Sequence, residues 1–491
     1  MQNFISTIEL PASIIYMAEV SKEIADRIRK RILIPIVGKG SIVHLIRSGI
    51  VEQMKSFCEP VIGFTWHQED LMQELASKGF EVHLLPPYSI DESYKQLRRK
   101  IDLWYFEFIL KTPSTQIQKR LKNGYRKKRN VIKSIIKERY EGLKSLVIPL
   151  QGEKNIRSES KLIRTQPAFH MYEDWLTEMQ IDGLFTVTPF IHEIELLARL
   201  LRNNNKPVIA SIHSFDNVTK RGWPAIIFDS YFVWNKYNRD ELLRINSTVQ
   251  KENIFITGAP QFDFHYKKSF GIEKEEWLRK MGIPAGKKII LYAGSVPSLF
   301  PDEPQYVLHL KEAIEKNLID EDVVILVRNH PLDNIQRWEN TLEKSPVIFF
   351  DINTGGKDKM DHSNVSIEEL RQFISTLNYS DVHINLCSTM AVDGSVFNKP
   401  QIGPAYNSVN KNNATSIRNM YFQEHYVPIM KTGVVKLAHS AEQLIHLVNE
   451  GLKESSVVAE VSQNCVKEII TYTDGKSSDR VVSVLKTFFA R

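Results

Sequence analysis

The sequence predicts an α/β protein of two doubly wound, parallel-sheet domains facing across a cleft. Three observations carry this. Short apolar runs of strand length alternate with amphipathic helical stretches along most of the chain. The alternation comes in two sets, separated by a polar linker around Tyr266 to Glu276. The length, 491 residues, suits two or three domains at about 100–200 residues each.

In the first set, Ile32-Leu33-Ile34-Pro35-Ile36-Val37 reads as a strand. The turn Gly38-Lys39-Gly40 follows, and a helix pattern starts near Ile42. Val61-Ile62-Gly63-Phe64 and Val82-His83-Leu84-Leu85 are further strands, with a helix around Leu71 to Lys78 between them. The pattern resumes at Gly183–Val187, then a helix at Ile191 to Arg202, then strands at Val208–Ile212, Ser230–Trp234 and Ile254–Thr257. The second set has strands at Lys288–Ala293, Val323–Val327, Val347–Phe350 and Val382–Leu386. Ala441 to Gly451 and Val457 to Tyr472 read as terminal helices. Alternating strands and helices imply parallel sheets covered on both faces, a Rossmann-like plan. The expected division is 1–270, with a helical insertion at about 90–165, and 271–491. The last helices are expected to pack back on the first domain.

Composition excludes several classes. Apolar residues are 42% and charged residues 25%, both ordinary for a globular chain. No run reaches the roughly 18 apolar residues of a membrane span. The first apolar stretch is interrupted by Glu9 and Pro11, unlike a signal peptide. Cys58, Cys387 and Cys465 are too few and scattered for a disulfide framework or a zinc cage. A cytoplasmic enzyme is the expectation.

The net charge of +6 hides an asymmetry. Lys95 to Lys144 holds 16 Lys or Arg against 4 Asp or Glu, a net of +12, which leaves −6 for the rest. Val131-Ile132 and Ile135-Ile136 recur at helical spacing among these cations. A basic amphipathic helix suits an anionic membrane surface, which would place the chain peripherally on the inner face of the plasma membrane. No nucleic-acid motif accompanies it, so nucleic acid is not an expected partner.

Strand ends carry the chemistry, because doubly wound folds bind ligands at the carboxyl ends of their strands. In the second set, Ser295 follows one strand. Arg328-Asn329-His330-Pro331 ends the next. Ser388-Thr389 follows a third and opens a helix, with Asp393 one turn in. Hydroxyls, a guanidinium, an imidazole and helix N-terminal amides suit a phosphate. Asp393 suits a ribose hydroxyl. No P-loop is present, and Gly38-Lys39-Gly40 lacks the third glycine of a dinucleotide fingerprint.

Three stretches carry a family resemblance: Ser214–Gly222 leading to Phe232-Val233-Trp234-Asn235; Asn253–Asp263; and Ser388-Thr389 with Asp393 and Asn398–Ile402. They resemble GT-B bacterial surface-carbohydrate glycosyltransferases and the related CDP-glycerol glycerophosphotransferases. His330-Pro331 with Ser388-Thr389 is also similar to motifs of bacterial Kdo- and sialyl-transferases. The resemblance implies transfer of a sugar or glycerol-phosphate from a CMP- or CDP-linked donor to a cell-surface polysaccharide or lipid-linked glycan. It implies that His330, Ser388 and Thr389 meet the donor phosphates, with Ser295, Arg328 and Asp393 around them. The nucleotide-sugar is a substrate, and no cofactor or metal is expected: transfer would be inverting and metal-independent.

The base should come from the opposite wall, in the first domain. His213 and Asp216 are preferred over His67, Glu69 and Asp70, because their loop shares the resemblance. Gly38, Lys39, Gly40 and Asp70 would line the acceptor side. The same fold also hosts nucleotide-sugar 2-epimerases and non-catalytic binding proteins. The basic insertion favours a transferase, since an epimerase needs no acceptor.

Overall fold

The computed structural model describes residues 29–490 except 115, 118–147, 221, 247, 268, 343–344, 353–363, 409–416 and 454–455. The densest basic stretch, the helix expected around Val131–Ile136 and most of the N-terminal segment lie outside the described residues. Among the described residues, no helix is long and apolar enough to cross a membrane.

Seven strands form the first sheet: β1 (Arg31–Ile36), β2 (Glu59–Phe64), β3 (Glu81–Leu84), β4 (Gly183–Thr186), β5 (Val208–Ser211), β6 (Ser230–Val233) and β7 (Ile254–Ile256). Their spatial order is β3-β2-β1-β4-β5-β6-β7, with every described pairing parallel. Six form the second: β8 (Lys288–Ala293), β9 (Val323–Arg328), β10 (Ile348–Asp351), β11 (Val382–Asn385), β12 (Gln401–Pro404) and β13 (Val435–Ala438). Their order is β10-β9-β8-β11-β12-β13, again parallel. Each sheet reverses direction once, between β1 and β4 and between β8 and β11. These are the two topological switch points, where such folds hold ligands.

The strands are almost wholly apolar, as sheets covered on both faces require. Two strands escape the sequence pattern. β12 reads Gln401-Ile402-Gly403-Pro404, and β13 alternates Val435-Lys436-Leu437-Ala438. Neither is a long apolar run, and pairing with β11 makes the first of them a strand. The expected linker is irregular at its centre. A 3-10 turn, Pro260–Tyr266, and a helix, Lys274–Met281, take only its two ends, and the described residues between them stay irregular. A third terminal helix, Ser477–Phe489, also goes beyond the expected pair.

That last helix lies on the first sheet's core. Val481, Leu485 and Phe489 are buried with Ile32, Ile50 and Met54. Burying each such side chain contributes about 1.5–3 kcal/mol. Asp263 holds the helix start, accepting from the N–H groups of Ser477 (3.0 Å) and Ser478 (2.8 Å) and from the Ser478 hydroxyl (2.7 Å). The preceding helix, Ser456–Ile469, is tied to the first sheet by Asn235, whose amide donates to the Ile469 carbonyl at 2.7 Å.

The root of the insertion is anchored by buried charge. Arg98 on helix Glu92–Trp104 donates to Glu195 at 2.8 Å and lies 3.6 Å from Glu159, while Arg199 donates to both Glu159 oxygens at 3.1 Å. Three helices are thereby joined. Removing one partner would leave an uncompensated buried charge, which costs about 3–5 kcal/mol.

Gly258 sits where the chain leaves β7, with φ of +82°. A Cβ there would meet Ser477 Oγ at 2.7 Å. Gly258→Ala should therefore lower stability by about 2 kcal/mol or more in urea unfolding, through backbone strain and displacement of the last helix.

Candidate active site

At the first switch point, Gly40 and His213 meet. A Cβ on Gly40 would lie 3.0 Å from His213 Cδ2 and 3.1 Å from Nε2, so only glycine lets the turn after β1 reach the imidazole. The turn is closed by Ser41, whose hydroxyl accepts from the N–H of Val37 (2.9 Å) and of Gly38 (3.1 Å). Lys39 is partly buried beside it. His213 Nδ1 is 2.9 Å from the Asn217 amide nitrogen, and its carbonyl accepts from Gln261 Nε2 at 2.7 Å. Beneath lies His44, in a π-helical turn, Ile42–Arg47. Its Nε2 is 3.2 Å from the Ser211 hydroxyl. Burial and the neighbouring His213 push His44 down to about 3, against an opposing pull from Gln261, so it stays neutral.

Asp216, three residues on, accepts from the Ser214 hydroxyl at 2.5 Å. Of the residues expected on this wall, the structure brings Gly40 and His213 into contact. Asp70 stands exposed in the first turn of helix Glu69–Ser77, and His67 is exposed and paired with Glu69 at 2.9 Å.

The second switch point is framed by register. Arg328, Ala293 and Asn385 lie side by side at the ends of β9, β8 and β11. His330 follows Arg328. Its Nδ1 accepts the Leu332 N–H at 3.0 Å, which in the neutral ring keeps the proton on Nε2. Ser388 and Thr389 follow β11 at the start of helix Met390–Val396. The Ser388 hydroxyl accepts from the Met390 N–H at 3.3 Å, and Thr389 is exposed. The residue before them, Cys387, has φ of +49°. Such strain in a non-glycine residue is characteristic of a functional turn.

Three expected donor-site residues are engaged within the protein. The N–H of Ser295 donates to both oxygens of buried Glu303 (3.1 and 2.9 Å), and its hydroxyl donates to the Leu386 carbonyl at 3.3 Å. Arg328 Nη1 donates to fully buried Asp351 at 2.6 Å, and its guanidinium lies over the Phe373 ring, 5.0 Å from the centroid. Asp393 is nearly buried and paired with His265, Nε2 to Oδ1 2.9 Å. Among the described residues, no three His, Cys, Asp or Glu converge in the manner of a metal site.

The two walls share one junction. Phe215, between His213 and Asp216, packs in an apolar cluster with Ala391, Val392 and Tyr426. Its ring is 5.9 Å from that of His425, and the Tyr426 hydroxyl donates to the Ser388 carbonyl at 3.4 Å. Ser114, at the insertion root, joins the same place: its hydroxyl accepts from the Glu424 N–H at 3.0 Å and lies 3.2 Å from His425 Nδ1.

Sequence reasoning missed His44, Asn217, Gln261, His265, Glu303 and Asp351 as parts of this region. Gln261 lies inside a stretch already singled out, and its polar side chain beside Pro260 was the available signal. Asn217 too lies in a stretch already singled out, Ser214–Gly222, whereas His44, His265, Glu303 and Asp351 are single residues on otherwise ordinary elements.

The family profile described as CDP-Glycerol:Poly(glycerophosphate) glycerophosphotransferase matches residues 226–487, more than half of the chain. No curated protein is a significant match in sequence. Several solved structures share the fold. A Staphylococcus aureus MnaA structure with UDP has a TM-score of 0.53 at 10% identity, covering 94% of this chain and 96% of that one. The UDP-GlcNAc 2-epimerase of Neisseria meningitidis, bound to UDP-GlcNAc, gives 0.53 at 11%, covering 93% and 100%. That of Methanocaldococcus jannaschii gives 0.51 at 12%, covering 93% and 99%. At such identities the likeness describes architecture. The two sheets and these neighbours make the fold GT-B.

Burial raises Glu303 to about 7, against its bonds from Ser295 and the nearby Arg337. The folded protein therefore holds this proton more tightly than the unfolded chain. Its contribution is present below about 4.5 and is lost as pH rises to about 7. Urea midpoints measured across that window should fall with pH in wild type, and Glu303→Gln should flatten that fall.

Proposed function

The chain belongs to the CDP-glycerol:poly(glycerophosphate) glycerophosphotransferase family and is a transferase, and from that premise we propose that it moves glycerol-phosphate from CDP-glycerol to a hydroxyl of a cell-surface polymer or lipid-linked glycan. The observation that carries this reading is the placement of His330 after β9 and of Ser388 and Thr389 after β11, the two strands that flank β8 at the β8–β11 switch point, all inside the matched region.

The step needs a base, a charge sink and an aligned phosphorus. In this reading His213 takes the acceptor proton. As placed, the Asn217 amide nitrogen faces His213 Nδ1 and would donate to it, which puts the ring proton on Nε2; the base form requires the Asn217 amide turned over, with Nδ1–H donating to its oxygen and Nε2 taking the proton. The acceptor oxygen then bonds to the phosphorus that bears glycerol, and the bond from that phosphorus to the CMP oxygen breaks. Charge gathers on the departing CMP phosphate. His330 Nε2–H and the hydroxyls of Ser388 and Thr389 stabilise it by hydrogen bonds, with Arg328 supplying a positive field from beside Asp351. The displacement is single and inverting, and these side chains serve without a metal.

Gly38, Lys39 and Gly40 form the acceptor side. Asp216 organises the His213 loop through Ser214. Asp393 supports the donor helix, a role compatible with its burial. The insertion root gives this reading its acceptor geography. Leu103 is 61% and Ile109 50% exposed, among the exposed cations Lys95, Arg99, Lys100 and Lys111. An apolar surface ringed by cations suits the anionic inner face of a plasma membrane, where a lipid-linked acceptor resides.

Two experiments test the reading. CDP-glycerol at about 100 times Kd should stabilise the wild type by roughly 2.7 kcal/mol in a thermal shift, and His330→Ala should abolish most of it. His213→Ala should keep that shift yet lower the rate of CMP release by about 10²–10⁴-fold. An unchanged rate would remove His213 as the base. Separately, sedimentation with liposomes should depend on anionic lipid.

A further inference from the structure

One histidine outside the proposed chemistry holds both arms of the donor site. His265 belongs to the segment that leaves the first sheet, the turn Pro260–Tyr266. Its side chain is only 4% exposed. The ring stacks on Phe262 (centroids 4.7 Å apart, planes 24° apart) and lies 5.8 Å from Phe397. Nε2 is 2.9 Å from Asp393 Oδ1, on the helix that Ser388 and Thr389 open. The edge of Phe373 approaches at 6.3 Å. That same Phe373 carries the guanidinium of Arg328 on its face, at 5.0 Å. Arg328 is held in turn by Asp351, which also accepts from Gln372 (2.6 Å) and Thr376 (2.8 Å).

We propose that His265 is a positioning residue that latches the interdomain segment to the donor domain, setting the Ser388–Asp393 helix through Asp393 and Arg328 through Phe373. The argument is physical. A buried carboxylate is costly unless hydrogen-bonded, so Asp393 fixes its helix to whatever donates to it. That donor comes from the chain between the domains, not from the donor domain itself. Any displacement of the segment relative to the second sheet is therefore felt at both arms together. The imidazole suits this place because its flat ring fills the gap between phenylalanines while Nε2–H reaches Asp393. The latch's effect on ligand binding rests on the donor-site reading above. Its mechanical part does not.

The test uses the full chain, wild type, His265→Ala and His265→Gln, with two measurements. Amide hydrogen exchange without ligand reads residues 386–397. Calorimetry reads CDP-glycerol affinity. His265→Ala should exchange faster across 386–397 and bind CDP-glycerol about tenfold more weakly. His265→Gln, whose amide still donates, should recover most of both. Unchanged exchange in His265→Ala overturns the latch whatever the ligand does. Equal CDP-glycerol affinity in wild type and His265→Ala, with faster exchange, overturns its function in binding. A wild type that binds no CDP-glycerol overturns the donor reading and that function with it, while faster exchange in His265→Ala still supports the mechanical latch. If His265→Ala does not fold, His265→Gln decides: wild-type exchange and affinity support the latch, and loss of either despite a folded protein overturns it.

Discussion

Everything at the cleft hangs from the eight residues that carry the chain out of the first sheet. Gly258 takes a left-handed turn against Ser477, with no room for a side chain. Gln261 holds the backbone of His213. Asp263 satisfies two N–H groups and a hydroxyl at the start of the last helix. His265 reaches Asp393. One short segment thus fixes a first-domain loop, a returning C-terminal helix and a donor-domain helix. Three of its polar side chains, Gln261, Asp263 and His265, each reach a different element. The family profile begins at residue 226 and so includes this segment whole.

The two walls divide the work by their electrostatics. On the first, burial keeps His44 neutral, so no second positive charge stands beside His213, the proposed base. On the second, a carboxylate stands behind each proposed arm, Asp351 behind Arg328 and Asp393 on the helix that Ser388 and Thr389 open. These carboxylates orient the donor wall and offset its positive charge. Glu303, which burial raises to about 7, accepts from the N–H of Ser295. In the proposed donor site the ligand's hydrogen bonds then fall to His330, with its proton directed to Nε2, and to the Ser388–Thr389 pair.

Much of the architecture was legible because parallel sheets demand apolar strands. Eleven of the thirteen strands stand where short apolar runs predict them. β12 and β13 were not, since Gly403 and Pro404 end one and Lys436 interrupts the other. Strand ends were legible as a consequence, which put His213 after β5, His330 after β9, and Ser388 and Thr389 after β11. Side-chain commitments were not legible. Nothing in Ser295 announces Glu303 eight residues on, and His265 reads as an ordinary linker histidine until Asp393 appears opposite it, 128 positions later. Such pairings depend on tertiary geometry that spacing does not encode. The resemblance supplied the motifs, whereas the contacts that organise them are properties of the folded chain.

A crystal structure with CDP-glycerol bound tests the central claim most directly. The account predicts the diphosphate beside the β8–β11 switch point, within hydrogen-bond distance of His330 Nε2 and of Ser388 or Thr389, with glycerol directed across the cleft towards His213. A diphosphate seated instead against Gly38–Gly40, or held without His330, Ser388 and Thr389, would contradict it.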